Sequence, residues 1–152
     1  MISSFNELHQ MVKDSQPKRV ALVAAEDPVL IEAAKRAQEE GLARFILFGN
    51  SRKIESLNPP DASSFEIVDS QNPAIDAINY IHADKADLLM KGKIQTGDLL
   101  RAILNRDTGL RQGELLNHIA VIESPHYHKL LFISDGGINL HLDENVYQQM
   151  VV

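Results

Sequence analysis

The sequence contains no cysteine. That absence excludes a disulfide framework, a thiolate nucleophile and any zinc site built on thiolates, and it accords with a reducing compartment such as the cytoplasm. No apolar run reaches the length of a membrane span, and the opening MISSFNELHQMVKDS, which carries Glu7, lacks a signal-peptide core. A soluble cytoplasmic protein is expected. Several enzyme fingerprints are missing too. There is no G-x-S-x-G elbow to present a serine nucleophile and no G-x-G-x-x-G turn for a nicotinamide dinucleotide. In KGKIQTGD, starting at Lys91, the lysines precede the spacing that a Walker lysine would close, so a P-loop is excluded as well.

What is present suits one compact α/β domain over residues 1–152. At 44% hydrophobic and 24% charged residues, the chain can bury a core of its own. The formal net charge of -6 gives no bulk attraction to nucleic acid or to an anionic membrane, and neither is expected as a partner. Any anion site must therefore be local.

The hydrophobic periodicity alternates between strand and helix. Ser4 and Glu7 have capping-box spacing ahead of a stripe of Phe5, Leu8, Met11 and Val12, which predicts a first helix ended by Pro17. Arg19 to Ala25 reads as a buried strand. Asp27-Pro28 then supplies a cap and a first-turn proline for a helix closing on Gly41. The alternation continues with a strand over Arg44 to Phe48, a short helix from Ser51 to Leu57 and a strand over Phe65 to Val68. A helix capped by Asn72-Pro73 follows, then a strand over Ala86 to Met90 and a helix from Asp98 to Asn105. Such repetition predicts a mostly parallel sheet with helices on both faces, a three-layer α/β/α arrangement. His118 to Ile122 and Leu130 to Ile133, joined by ESPHYHK, have no room for a crossover helix. They predict an antiparallel hairpin at one side of the sheet.

Ligands of open α/β sheets collect beyond the carboxyl ends of the strands, where glycine permits close backbone approach and helix amino termini attract anions. KGKIQTGD lies at such a junction. Between Lys91 and Arg111 there are five basic residues, Lys91, Lys93, Arg101, Arg106 and Arg111, against Asp98 and Asp107, a cationic excess within an acidic chain. Phosphate binding needs such a patch, although Arg101 and Arg106 equally suit a solvated helix face.

Two longer stretches, KADLLMKGKIQTGDLLRAIL and GLRQGELLNHIAVIESPHYHKLLFISDGGIN, resemble the first half of the phosphate acetyltransferase and phosphate butyryltransferase family, most of all its butyryltransferase branch. The resemblance runs from about Val20 to Asn139. It implies the first lobe of a two-lobe fold like that of isocitrate and isopropylmalate dehydrogenases, and a reversible reaction of acyl-CoA with phosphate that yields acyl phosphate and CoA. Coenzyme A is then a substrate, and no tightly bound cofactor is implied. Carried over by position, Arg101 matches an arginine implicated in binding the anionic substrate, and Thr96 the threonine five residues before it. Lys91, Gly92 and Lys93 fill the loop ahead of them. Asp135 and Asn139, in DGGIN, match a segment after the last strand of the lobe, although a capped turn explains them equally well.

The chain departs from the family in length. Family members run to about twice its size, and their second half supplies the other wall of the cleft. This implies either a lobe that needs a partner or a homodimer, or a noncatalytic module that binds CoA or acyl phosphate. His126 and His128 alternate in the hairpin turn, yet the sequence places no third ligand beside them, so no metal is expected.

Overall fold

The computed structural model describes residues 2–57, 65–112 and 116–134. The chain divides into two compact units, residues 12–111 and residues 1–11 with 112–152. In the larger unit, β1 (Lys18–Val23), β2 (Ala43–Gly49), β3 (Glu66–Asp69) and β4 (Leu88–Lys91) form a four-stranded parallel sheet in the order β3-β2-β1-β4. The helices between them are α2 (Pro28–Glu39), α3 (Ser51–Leu57) and α4 (Pro73–His82), and α5 (Thr96–Ile103) follows β4.

Strand alternation divides the apolar side chains between two faces. Val20, Leu22, Phe45 and Leu47 pack on Ile31 and Ala34 of α2 and Ile54 of α3. Ala21, Val23, Ile46 and Phe48 pack on Ala74 and Ala77 of α4 and Leu99 of α5. The sheet thus lies between two helix layers, as the near-continuous apolar runs of β1 and β2 predict. Each fully buried Leu or Val stabilises the unit by about 1.5–3 kcal/mol relative to an exposed one.

The helix starts follow local chemistry. Asp27 Oδ1 accepts from the N–H groups of Val29 and Leu30, at 2.9 and 3.3 Å, and Pro28 occupies the first helical position. Asn72 precedes Pro73 as expected, but its side chain makes no capping bond. Ser70 organises that turn instead: its hydroxyl accepts from the Asn72 N–H at 3.0 Å and donates to Asp76 in the first turn of α4. Helix α5 begins at Thr96, two residues before the predicted Asp98, because Gln95 is extended and its carbonyl accepts from the N–H groups of both Asp98 and Leu99.

In the smaller unit, Ser4 Oγ accepts from the Glu7 N–H at the start of α1 (Phe5–Lys13), whose last residues lie in the larger unit. The Glu7 carboxylate reaches the Ser3 N–H at 2.7 Å, one residue upstream of a closed capping box. β5 (Ile119–Ile122) and β6 (Leu131–Ser134) pair antiparallel, with Ile119 opposite Ser134 and Ile122 opposite Leu131. The predicted antiparallel hairpin is present, and β5 and β6 bond to each other as a two-stranded sheet of their own.

Candidate functional site

The chain runs outward from β1 through β2 to β3, then returns to place β4 on the other side of β1. The carboxyl ends of β1 and β4 therefore flank the point where strand order reverses. In folds of this kind crossover connections diverge at such a point, and the crevice above it is the usual binding place.

Backbone geometry shapes this crevice. Beyond β1, Ala24 adopts a left-handed conformation with φ of 55°. Beyond β4, the Gly92 N–H donates to the Val23 carbonyl and the Lys93 N–H to the Ala24 carbonyl, both at 2.8 Å. A Cβ on Gly92 would lie 2.2 Å from the Val23 oxygen and 2.5 Å from the Ala24 oxygen. Only glycine fits between these two carbonyls. The buried Gly92 thus fixes a loop from which Lys91 and Lys93 extend into solvent, with exposed Thr96 opening the helix behind them.

The charge pattern along the sheet end is asymmetric. At β2, Glu26 Oε1 accepts from the Asn50 N–H at 2.7 Å, and at β3, Asp69 Oδ1 accepts from the Ser51 N–H at 2.9 Å. The bond from Ser51 holds the Asp69 carboxyl below the ordinary carboxylate range. Both carboxylates on the β2 and β3 side are therefore already hydrogen-bonded. At β4, Lys91 Nζ has only a long contact, 3.4 Å, to the Gly92 carbonyl.

Arg101 lies elsewhere on α5. Five residues separate it from Thr96, about 7.5 Å along the helix and about 140° around it. Its guanidinium bonds to Asp98 at 2.8 Å, and its side chain is 78% exposed. It lines a cleft of about 400 Å³ between α4 and α5, together with Asn72, Ile75, Ile78, Ile94 and Ala102. The structure thus brings Lys91, Gly92, Lys93 and Thr96 together at the sheet end and sets Arg101 in the adjoining cleft. Asp135 and Asn139 lie outside the described residues.

Sequence reading missed Ala24, Glu26 as a link between strand ends, and the apolar cleft wall. A lone alanine carries no signal of positive φ, and the wall joins segments some twenty residues apart. Among the described residues, no group of three or more His, Asp or Glu side chains could hold a metal ion, and no helix is long and apolar enough to cross a membrane.

The family model described as Phosphate acetyl/butaryl transferase matches residues 3–76. Phosphate butyryltransferase from Clostridium acetobutylicum is 37% identical over 93% of this chain and 49% of its own length. By sequence the chain resembles this family. Phosphate acetyltransferase from Thermotoga maritima is 34% identical over 80% of this chain and 43% of its own. Two solved structures share the fold. A branched-chain phosphotransacylase from Enterococcus faecalis V583 superposes with a TM-score of 0.71 at 22% identity, covering 88% of this chain and 48% of that one. A phosphotransacetylase from Staphylococcus aureus gives 0.73 at 18%, covering 95% and 55%. The chain spans about half the length of the curated relatives it matches.

Proposed function

We propose that this chain is one lobe of an acyl-CoA:phosphate acyltransferase acting on acetyl or butyryl groups in the cytoplasm, with the crevice between β1 and β4 as its phosphate-side wall. The observation that carries the reading is the lysine-flanked Gly92 loop at the strand-order reversal, in a chain 37% identical to a phosphate butyryltransferase. In this reading the chain corresponds to the first lobe of an isocitrate dehydrogenase-like pair. Lys91, Lys93 and the amino terminus of α5 attract phosphate, Thr96 offers a hydroxyl, Arg101 binds a further anionic group of CoA, and Asp135 and Asn139 are assigned to substrate binding by the family resemblance alone.

In the reaction a phosphate oxygen attacks the thioester carbonyl, the tetrahedral oxyanion collapses, the C–S bond breaks and the thiolate takes a proton. Holding the two reactants together contributes about 7–11 kcal/mol to such a step, and donors aimed at the oxyanion add to it. One wall cannot align both reactants. The chain is therefore expected to need a second lobe, from a partner or a second copy.

Butyryl-CoA and acetyl-CoA with phosphate, followed by thiol release, test this reading. We expect background turnover from the chain alone and measurable turnover once the unmatched portion of the Clostridium acetobutylicum enzyme is added. Turnover by the chain alone would sink the one-wall argument. The half-length match also supports a second reading, a noncatalytic module that binds CoA or acyl phosphate. Ligand binding without turnover, despite demonstrated association of the two pieces, would favour it.

A further inference from the structure

The open edge of the parallel sheet is unlike the opposite one. At β3 the outermost strand carries exposed Glu66 and Asp69 around half-buried Ile67 and Val68, with the Tyr80 hydroxyl donating to Glu66 at 3.2 Å. Charge of this kind protects an edge from further pairing. β4 has no such protection at its centre, where Leu88-Leu89-Met90 forms an uninterrupted apolar run.

The register with β1 shows which face is left bare. Leu88 lies opposite Val20 and Met90 opposite Leu22. Val20 and Leu22 are 7% and 0% exposed beneath the α2 and α3 layer, whereas Leu88 is 53% and Met90 41% exposed. The cluster that encloses Val20 and Leu22 contains no β4 residue. Among the described strands, none pairs with the outer edge of β4. A strand of this composition belongs inside a parallel sheet, covered on both faces. Its outer N–H and C=O groups are a template for one more strand.

We propose that β4 is the docking edge for the polypeptide corresponding to the part of the relatives that this chain does not span. That polypeptide would add an extended segment to β4 and lay an apolar helix or loop over Leu88 and Met90. The length shortfall supplies the occupant, since the matched relatives are about twice as long and the edge is open for a further strand. The proposal rests on the two-part enzyme reading and adds the surface that joins the parts. It also puts the joint beside the site, since β4 leads directly into Lys91, Gly92 and Lys93.

The test uses the full chain and the unmatched portion of the Clostridium acetobutylicum phosphate butyryltransferase, expressed separately. Hydrogen exchange of residues 88–91 should slow at least tenfold on mixing. The double variant Leu88→Lys, Met90→Lys should keep the melting temperature of the wild-type chain, because both side chains are exposed, while binding at least tenfold more weakly. Association with unchanged exchange at 88–91 would overturn the proposal. So would protection of 88–91 that grows with the concentration of the chain alone, which would assign the edge to a second copy. Readouts of binding and exchange keep this apart from the catalytic reading: β4-mediated binding without turnover rejects catalysis alone, and turnover without β4 protection rejects the docking edge alone.

Discussion

Gly92, just beyond β4, sits tightly against the end of β1, and the constraint is space, since the Val23 and Ala24 carbonyls occupy the position of any Cβ. Gly92→Ala must push two backbone carbonyls aside and disturb the loop that presents the lysines. We expect a loss of about 1–3 kcal/mol, the range for overpacking a close contact, together with weaker phosphate binding. Thermal melts and phosphate titration check this, and an unchanged melting temperature would remove the claim. Arg101 calls for a different measurement. Its bond to Asp98 joins two exposed side chains, so little stability holds it there and the guanidinium is available to a ligand. Its distance from Thr96 along α5 means that a ligand touching both the Gly92 loop and the Arg101 cleft must be extended. Arg101→Ala should weaken CoA binding by about 1.5–3 kcal/mol and change inorganic phosphate binding less. Equal losses for both ligands would place phosphate itself on Arg101.

At the scale of elements, the helices and strands were legible wherever local chemistry sets them. Pro28 and Pro73 open helices whose apolar faces follow at helical spacing, and the runs around Val20 and Phe45 read as buried strands. The connection between β5 and β6 was too short for a helix, and an antiparallel pair resulted. Strand order was not legible, because it depends on side chains about twenty to seventy residues apart, and neither was the bare face of β4, which reads like any covered strand. The Lys91-Gly92-Lys93 loop was found because glycine between lysines after a strand carries its own signal; the cleft beside Arg101 was not. One long-range device ties β1 to β4 at the end of the sheet opposite the site. Asp87 accepts from the Arg19 N–H at 2.7 Å and from its guanidinium at 3.1 and 2.9 Å, and Arg19 also donates to the Asp84 carbonyl at 2.6 Å. Bonds from the Arg19 side chain and N–H hold the Asp87 carboxyl far below its ordinary range. A depressed carboxyl contributes stability above its unfolded pKa, about 3.9, and loses it as pH falls toward the folded value; Arg19 stays charged throughout and adds no slope. Asp87→Asn should therefore melt below wild type at pH 7, with the gap closing below about pH 4. A gap independent of pH would show that the charge contributes nothing.

At the scale of the whole molecule, burial is unevenly divided. Both apolar clusters belong to residues 12–111, and among the described buried hydrophobic residues only Leu130 falls outside that range. The hairpin of the smaller unit exposes Ile119 and Phe132, and a two-stranded hairpin is marginal alone in water. In the larger unit β1 and β2 are covered by helices on both faces, which gives it a core able to support independent folding. A polypeptide of residues 12–111 is expected to unfold cooperatively, with its slowest-exchanging amides in β1 and β2, whereas residues 112–152 alone should give the spectrum of an unfolded chain. Because the fragment keeps Lys91, Gly92, Lys93, Thr96 and Arg101 but lacks Asp135 and Asn139, its phosphate affinity also divides the proposed site. An affinity equal to that of the full chain would confine phosphate to the β4 loop and α5. An affinity several-fold lower in a fragment with an intact melt would assign the difference to the residues outside 12–111, Asp135 and Asn139 among them. A fragment that fails to fold would show that the two units form one cooperative domain, as the sequence alone leads one to expect.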